Sequence, residues 1–259
     1  MTQLATGIRD LGRGFGALQA RPGLWKWIIT PAVVTGLLAA ALIAGVVHLI
    51  APVNRWIGDH VPDAIASIAS GLFTTVVVVA LSAAALLVFV PLAGMITGPF
   101  NETLSERIEA HLTGQSSPAF SLAGFVHGFL LGIFHGVRRL VVALLGLALV
   151  FAVGLIPVVG PFAAPVLAAW LTARSAAYDC YDAVLARRTM SYRDKLAFLA
   201  RHRDRTLGLG AGVAAMLLVP GLNLIALGVG AAGATVAAHA IAPGAHPGRS
   251  AELGARTGR

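Results

Sequence analysis

From Leu140 to Ala173 the chain carries no Lys, Arg, Asp or Glu, and its helix-forming pattern breaks midway, at Leu155-Ile156-Pro157-Val158-Val159-Gly160-Pro161. A second break, Val219-Pro220-Gly221-Leu222-Asn223, sits in the middle of Thr206 to Gly248, which is equally free of charge. A turn that meets water normally carries Asn, Asp, Ser or a charge. These two carry almost nothing polar. They read as the tips of two helical hairpins, about 140–173 and 206–241, that enter a membrane and return to the side they left. Thr206 to Val219 would make only about 21 Å of helix, short of the ~30 Å hydrocarbon core.

Composition supports the bilayer. Only 12% of residues are charged and 57% are hydrophobic, whereas a soluble domain is about 25% charged. Trp27 to Asn54 and Ala64 to Asn101 are uncharged, and each exceeds the ~18 apolar residues that mark a spanning segment. The chain reads as an integral membrane protein. The first apolar run is too long for a signal-peptide core, so the N-terminus is expected to be retained. Cys180 is the single cysteine, which excludes an internal disulfide and any multi-cysteine metal site.

The net charge of +8 is distributed by topology. Of 19 basic residues only Arg55 lies between the first two apolar runs; the rest fall in residues 9–26, 107–139, 174–205 and 249–259. The positive-inside rule puts those four segments, and both termini, in the cytoplasm. A nucleic-acid surface would want the basic residues interleaved with aromatics on one soluble domain, so no nucleic acid is expected as partner.

The expected fold is therefore an all-α membrane protein with two long transmembrane helices, two re-entrant hairpins and amphipathic interfacial helices. Residues 1–242 form a single membrane domain, with helix 1 at about 27–54 and helix 2 at about 64–97; residues 243–259, rich in Gly, Pro and Arg, form a disordered cytoplasmic tail. Leu4, Ile8, Leu11, Phe15 and Leu18 make one face of an N-terminal helix, with Arg9, Asp10 and Arg13 on the other, as expected at the cytoplasmic interface. Pro99-Phe100-Asn101 should open a separate polar helix. Gly124, Gly128, Gly132 and Gly136 recur every fourth residue, a smooth stripe for helix or subunit packing; His127 and His135 have no partner at metal spacing. Tyr192, Leu196 and Leu199 mark one face of a further amphipathic helix.

The order of motifs resembles a known family. Arg21-Pro22-Gly23-Leu24, Pro99-Phe100-Asn101 with Glu109, Ile156-Pro157-Val158-Val159-Gly160, Tyr178-Asp179, Leu207-Gly208-Leu209-Gly210, Val219-Pro220-Gly221-Leu222-Asn223 and Gly233-Ala234-Thr235 occur in sequence. Together they resemble the CysZ family of bacterial sulfate permeases, within the wider etoposide-induced-protein superfamily, over about residues 4–240. The resemblance implies two hemi-penetrating hairpins and a homo-oligomer in the bacterial inner membrane. It also implies sulfate uptake into the cytoplasm for cysteine biosynthesis, without an ATPase partner. The family's Gly-Leu is typically followed by an anion-holding Arg; here Trp25 and then Lys26 follow.

A non-helical tip at membrane depth must face protein or a water-lined cavity, since its backbone groups need partners. Broken helices also expose N-terminal amides suited to an anion. The candidate binding residues for sulfate or a similar small oxyanion are thus Arg21, Lys26 and the amides of Gly23 and Leu24; Arg21 and Lys26 could equally snorkel to lipid headgroups. Candidate pore or gating residues are Asn101, Glu102, Glu109 and Asn223. Asn223 serves as well to cap the returning half-helix, and Glu102 and Glu109 to make salt bridges, with Arg138 or Arg139 as partners. Arg107 reads as part of a solvated face, and Asp179 and Asp182 as partners of Arg187. Nucleophile-elbow, phosphate-loop and zinc-protease motifs are missing from the sequence, so no enzyme, cofactor or metal is expected. The alternative to a channel-like permease is a non-transporting membrane scaffold, which would pack both tips dry.

Overall fold

A computed structural model of the protein describes residues 2–60, 63–114, 140–188 and 190–242. The described residues form helices and the turns between them. Helix α1 is Gln3–Gln19, followed by a 3-10 turn at Pro22–Leu24. Then come α2 Lys26–His60 and α3 Asp63–Thr113, α4 Leu140–Gly154, α5 Gly160–Arg187, α6 Tyr192–Arg201, α7 Arg203–Leu217 and α8 Asn223–Ile241. The glycine stripe at 124–136, His127, His135, Arg138, Arg139 and the tail 243–259 lie outside the described residues.

Helices α2 and α3 pack on each other as a long hairpin. They reach about 52 and 76 Å at 1.5 Å per residue, well beyond a bilayer core. Helix α2 is continuous through Pro31 and Pro52 and extends past the expected end at 54. Helix α3 runs unbroken to Thr113 through Pro99; the separate helix expected from Pro99 is instead its last stretch. A proline interrupts one backbone bond, and one such loss is tolerated when neighbouring turns and hydroxyls compensate. Thr103 Oγ1 donates to the Pro99 carbonyl (2.9 Å). Three helical stretches are long and apolar enough to cross a membrane: Pro22–Pro52, Gly71–Thr113 and Asn223–Ile241. Their environments differ. The spanning windows of the first two are almost wholly exposed, whereas most of Asn223–Ile241 is buried.

Helix α8 is the hub, in contact with α1, α2, α3, α5 and α7. Its middle reads Gly228-Val-Gly-Ala-Ala-Gly233, so backbones approach it closely. A Cβ at Gly228 would meet Ile28 Cγ1 at 2.9 Å, and one at Gly233 would meet Leu11 Cα at 2.9 Å. Two apolar clusters flank it. One joins Tyr181, Val184 and Leu185 of α5 to Leu209 and Val213 of α7. The other joins Leu18, Leu24 and Ile28 to Leu104 and Ile108 of α3 and Val229 of α8.

The N-terminal helix is amphipathic, with Leu4, Ile8 and Phe15 exposed. Asp10 departs from expectation: it does not lie on a solvated side but is fully buried. Its Oδ2 accepts from Arg205 Nε (2.6 Å) and its Oδ1 from Arg13 Nη1 (3.1 Å). Gly7, Asp10, Gly14 and Leu18 form the buried face, so α1 docks through its small residues and leaves its large apolar ones outward.

The two apolar breaks are turns between helices. Leu155–Val159 links α4 to α5, and Leu218–Leu222 links α7 to α8. Val158 is 82% exposed and Leu218 84%. In the first turn a Cβ on Gly160 would lie 2.5 Å from the Gly154 carbonyl oxygen, so only glycine fits there. In the second, Gly221 takes φ 88, a backbone region open to glycine. Helix α5 continues past residue 173 to Arg187, carrying polar positions that pair with neighbours. Helix α6 forms at the expected amphipathic segment, started by a capping box in which Ser191 and Asp194 bond each other's backbone N–H.

Candidate functional site

Arg21 to Trp27 forms a compact corner between α1 and α2. Pro22 starts the 3-10 turn, where its missing N–H costs nothing. The Leu24 amide donates to the Arg21 carbonyl (3.0 Å) and the Trp25 amide to the Pro22 carbonyl (3.1 Å). In this conformation the Leu24 N–H is thus already engaged, and Leu24 contributes a buried side chain. Arg21, Gly23 and Lys26 are exposed. Phe15 holds the corner from α1, its ring edge-on to Trp25 at 6.1 Å.

Trp27 gathers the cations. Lys26 Nζ lies 5.5 Å from its ring centroid and Arg107 Cζ, from α3, lies 4.9 Å. An indole face attracts a cation through its quadrupole, most strongly where water is thinned. Arg107 was read as part of a solvated face; instead its Nε is buried and has no hydrogen-bond partner. Phe100 meets the same indole at 6.1 Å, which brings the neighbouring, half-buried Asn101 and Glu102 to this corner. Sequence reasoning missed Arg107 because its partner lies eighty residues earlier, across α2 and α3.

Glu109 sits on a different face of α3. Its Oε2 accepts from Arg187 Nη2 (2.6 Å) and its Oε1 from Arg188 Nη2 (3.2 Å). The pairing partners are therefore the Arg187–Arg188 doublet at the end of α5. Arg187 Nη2 also donates to Ser105 Oγ (2.9 Å), and the Ser105 hydroxyl is hydrogen-bonded to that of Thr235 on α8 (2.8 Å). Asp182, expected beside Arg187, accepts instead from Lys195 Nζ of α6 (2.7 Å). No sequence signal marked Ser105, and Thr235 stood out only within Gly233-Ala234-Thr235.

Asn223 is the first residue of α8 and is exposed; that helix start has no side-chain cap. The capping role is thus not realised, and the residue stands at the tip. Ile28 packs on Gly228, so the Lys26 corner lies about 8 Å along α8 from Asn223 at the helical rise. The structure brings Arg21, Lys26, Asn101 and Glu102 to one region and sets Glu109 apart from them.

A third polar cluster lies where α1, α5 and α7 meet. The Asp10 bond pushes the Arg205 guanidinium further toward its charged form. Tyr181 is fully buried with its hydroxyl unpartnered. Burial first, and the nearby Asp10 anion second, push its ionisation above the ordinary tyrosine range. At the α6–α7 corner His202 stacks on Phe198 at 5.0 Å; burial, then Arg201 and Arg205, lower its pKa.

Comparison with known proteins adds to this geometry. The family described as Sulfate transporter CysZ/Etoposide-induced protein 2.4 matches residues 10–227. A protein named sulfate transporter CysZ from Pseudomonas fluorescens is 34% identical over 152 residues, which cover 57% of this chain and 59% of that protein. One of the same name from Pectobacterium atrosepticum is 28% identical over 218 residues, 83% of this chain and 78% of the relative. A third, from Vibrio cholerae, is 25% identical over 224 residues, with 84% and 87% covered. The chain thus spans about three fifths of the Pseudomonas relative and most of the other two.

Proposed function

Because the chain belongs to the sulfate transporter CysZ/etoposide-induced protein 2.4 family, we propose that it is a permease passing sulfate or a similar small oxyanion across the bacterial inner membrane into the cytoplasm. The observation that carries this reading is the cation pair at Trp27, where Lys26 and Arg107 lie on one indole about 8 Å along α8 from the tip. A tetrahedral dianion needs more than one positive partner when water is removed. Arg107 supplies from α3 the guanidinium that the family places directly after Gly-Leu. Arg21 and the Gly23 amide complete the corner, with Asn101 and Glu102 beside it.

The path is channel-like, down the anion gradient, feeding cysteine biosynthesis. The two hairpins are re-entrant: α7 is about 22 Å long, and the turn residues Val158 and Leu218 are large, apolar and exposed, as lipid or a second copy would require. Residues 1–242 act as one membrane domain with both termini cytoplasmic, assembled as a homo-oligomer whose neighbouring copies cover part of this apolar surface. Asn223 faces the path at the second tip.

Purified protein in liposomes should take up radiolabelled sulfate, and Lys26→Ala should slow it severalfold. A folded, oligomeric preparation that passes none overturns the permease reading. That result would favour a non-transporting membrane scaffold, a reading that draws on the tight small-residue packing of α8 against α1, α5 and α7.

A further inference from the structure

We propose that Arg187 and Arg188, with Ser105, form a second oxyanion station, at present occupied by the Glu109 carboxylate; this rests on the permease reading above. Its charge is unbalanced. Two guanidinium groups share one carboxylate, and each carboxylate oxygen takes one of them, at 2.6 and 3.2 Å. The side chains of Arg187, Arg188 and Glu109 are only 22%, 7% and 10% exposed. A net positive charge at that depth is costly unless an anion joins it.

The donors for such an anion are in place. Arg187 Nε is buried without a hydrogen-bond partner, and a guanidinium has five N–H groups to satisfy. Ser105 accepts from Arg187 and touches Thr235; its rotatable hydroxyl can turn to donate to an anion. Two planar forks on successive residues suit the several oxygens of a tetrahedral oxyanion better than a point charge would.

Position supports a role in passage. Thr235, on α8, is seven residues beyond Gly228, where Ile28 packs. The two stations therefore lie about 10 Å apart along the same helix. Glu109 acts as a displaceable tenant: an arriving oxyanion takes one guanidinium while Glu109 keeps the other, so the ion is held without being trapped. An ion pair that only clamps α3 to α5 would show no such competition.

The test is equilibrium binding of radiolabelled sulfate to the purified full-length protein in detergent, in a Lys26→Ala background that weakens the first station. Glu109→Gln removes the competing charge and should tighten the apparent Kd by about tenfold. An unchanged or weaker Kd in protein that elutes as a single folded species overturns the proposal, and a lower melting temperature alone is the signature of a clamp. If Glu109→Gln does not fold, the double variant Arg187→Lys/Arg188→Lys decides: at least fivefold weaker binding supports the station, and unchanged binding overturns it. A lipid phosphate would use the same donors, so excess phosphatidylglycerol is added. A sulfate Kd that does not move supports a free oxyanion, and displacement overturns it. Wild-type flux with unaltered Glu109→Gln binding sinks only this station; absent flux with tightened binding supports the station and sinks the permease.

Discussion

Replacing Asp10 by Asn tests how the N-terminal helix is held, because it removes a charge and leaves the shape. Asp10 is fully buried and bonds Arg205 at 2.6 Å, with the Arg205 side chain 14% exposed. The second bond goes to Arg13, whose side chain is 60% exposed. The exposed bond is worth under about 1 kcal/mol. Removing one partner of a buried pair costs about 3–5 kcal/mol, since the other charge stays behind. Arg205 keeps some contact with water, which sets the expectation near the lower end, about 3 kcal/mol. At about 2–4 °C per kcal/mol for a chain of this size, the melting temperature should fall by about 6–12 °C. Trp25 is a built-in reporter, since its indole meets Phe15 of α1 at 6.1 Å; its emission should shift as α1 detaches. Thermal unfolding followed by tryptophan fluorescence in detergent measures both. Asp10→Ala combined with Arg205→Ala should lose much less than the sum of the single losses. A melting temperature for Asp10→Asn within one degree of wild type would refute the reasoning, as would additive losses in the cycle.

Gly233→Ala places a Cβ 2.9 Å from Leu11 Cα and 3.1 Å from the Asp10 carbonyl oxygen, backbone atoms that cannot step aside. It should cost about 1–3 kcal/mol, read as a lower melting temperature in the same assay. Val158 holds φ 66, a conformation that costs a β-branched residue about 1–2 kcal/mol. With its side chain 82% exposed little packing is lost on truncation, so Val158→Gly should raise the melting temperature by a few degrees. For His202, burial and the nearby Arg201 and Arg205 charges lower the folded pKa. The unfolded chain then binds the proton first, near pH 6.5. The stability this residue contributes is present above that pH and lost as pH falls through the lowered folded value. Melting temperatures from pH 7.5 to 5.5 should decline, and His202→Gln should flatten the decline.

Much of the architecture could be read before any coordinates. Runs without charge marked α2, α3 and both hairpins, because transfer of apolar side chains from water is close to additive along a segment. Apolar turns marked the helix breaks at Pro157 and Pro220 for the same reason. Helix ends were less legible. Pro99 read as a boundary, yet α3 passes through it, since one lost backbone bond is cheaper than ending a helix packed on its neighbours. The corner at Arg21–Lys26 was visible as a break followed by cations, and Asn101 and Glu102 as the polar restart after an apolar run.

What the chain alone determined is thus its solvent, its helices and its charge sidedness, all of which depend on composition within a window. Partnership was decided by the tertiary structure. Asp10 looked like one more charge on a polar face, and Arg107 and Glu109 like members of a solvated helix. Their roles follow from Arg205, Trp27 and the Arg187–Arg188 doublet, each far away in sequence. Which of them meet is set by how closely backbones approach, and that depends on glycines at 14, 228 and 233 facing one another across helices. A glycine's spacing is written in the sequence; the helix that fills its missing side chain is not.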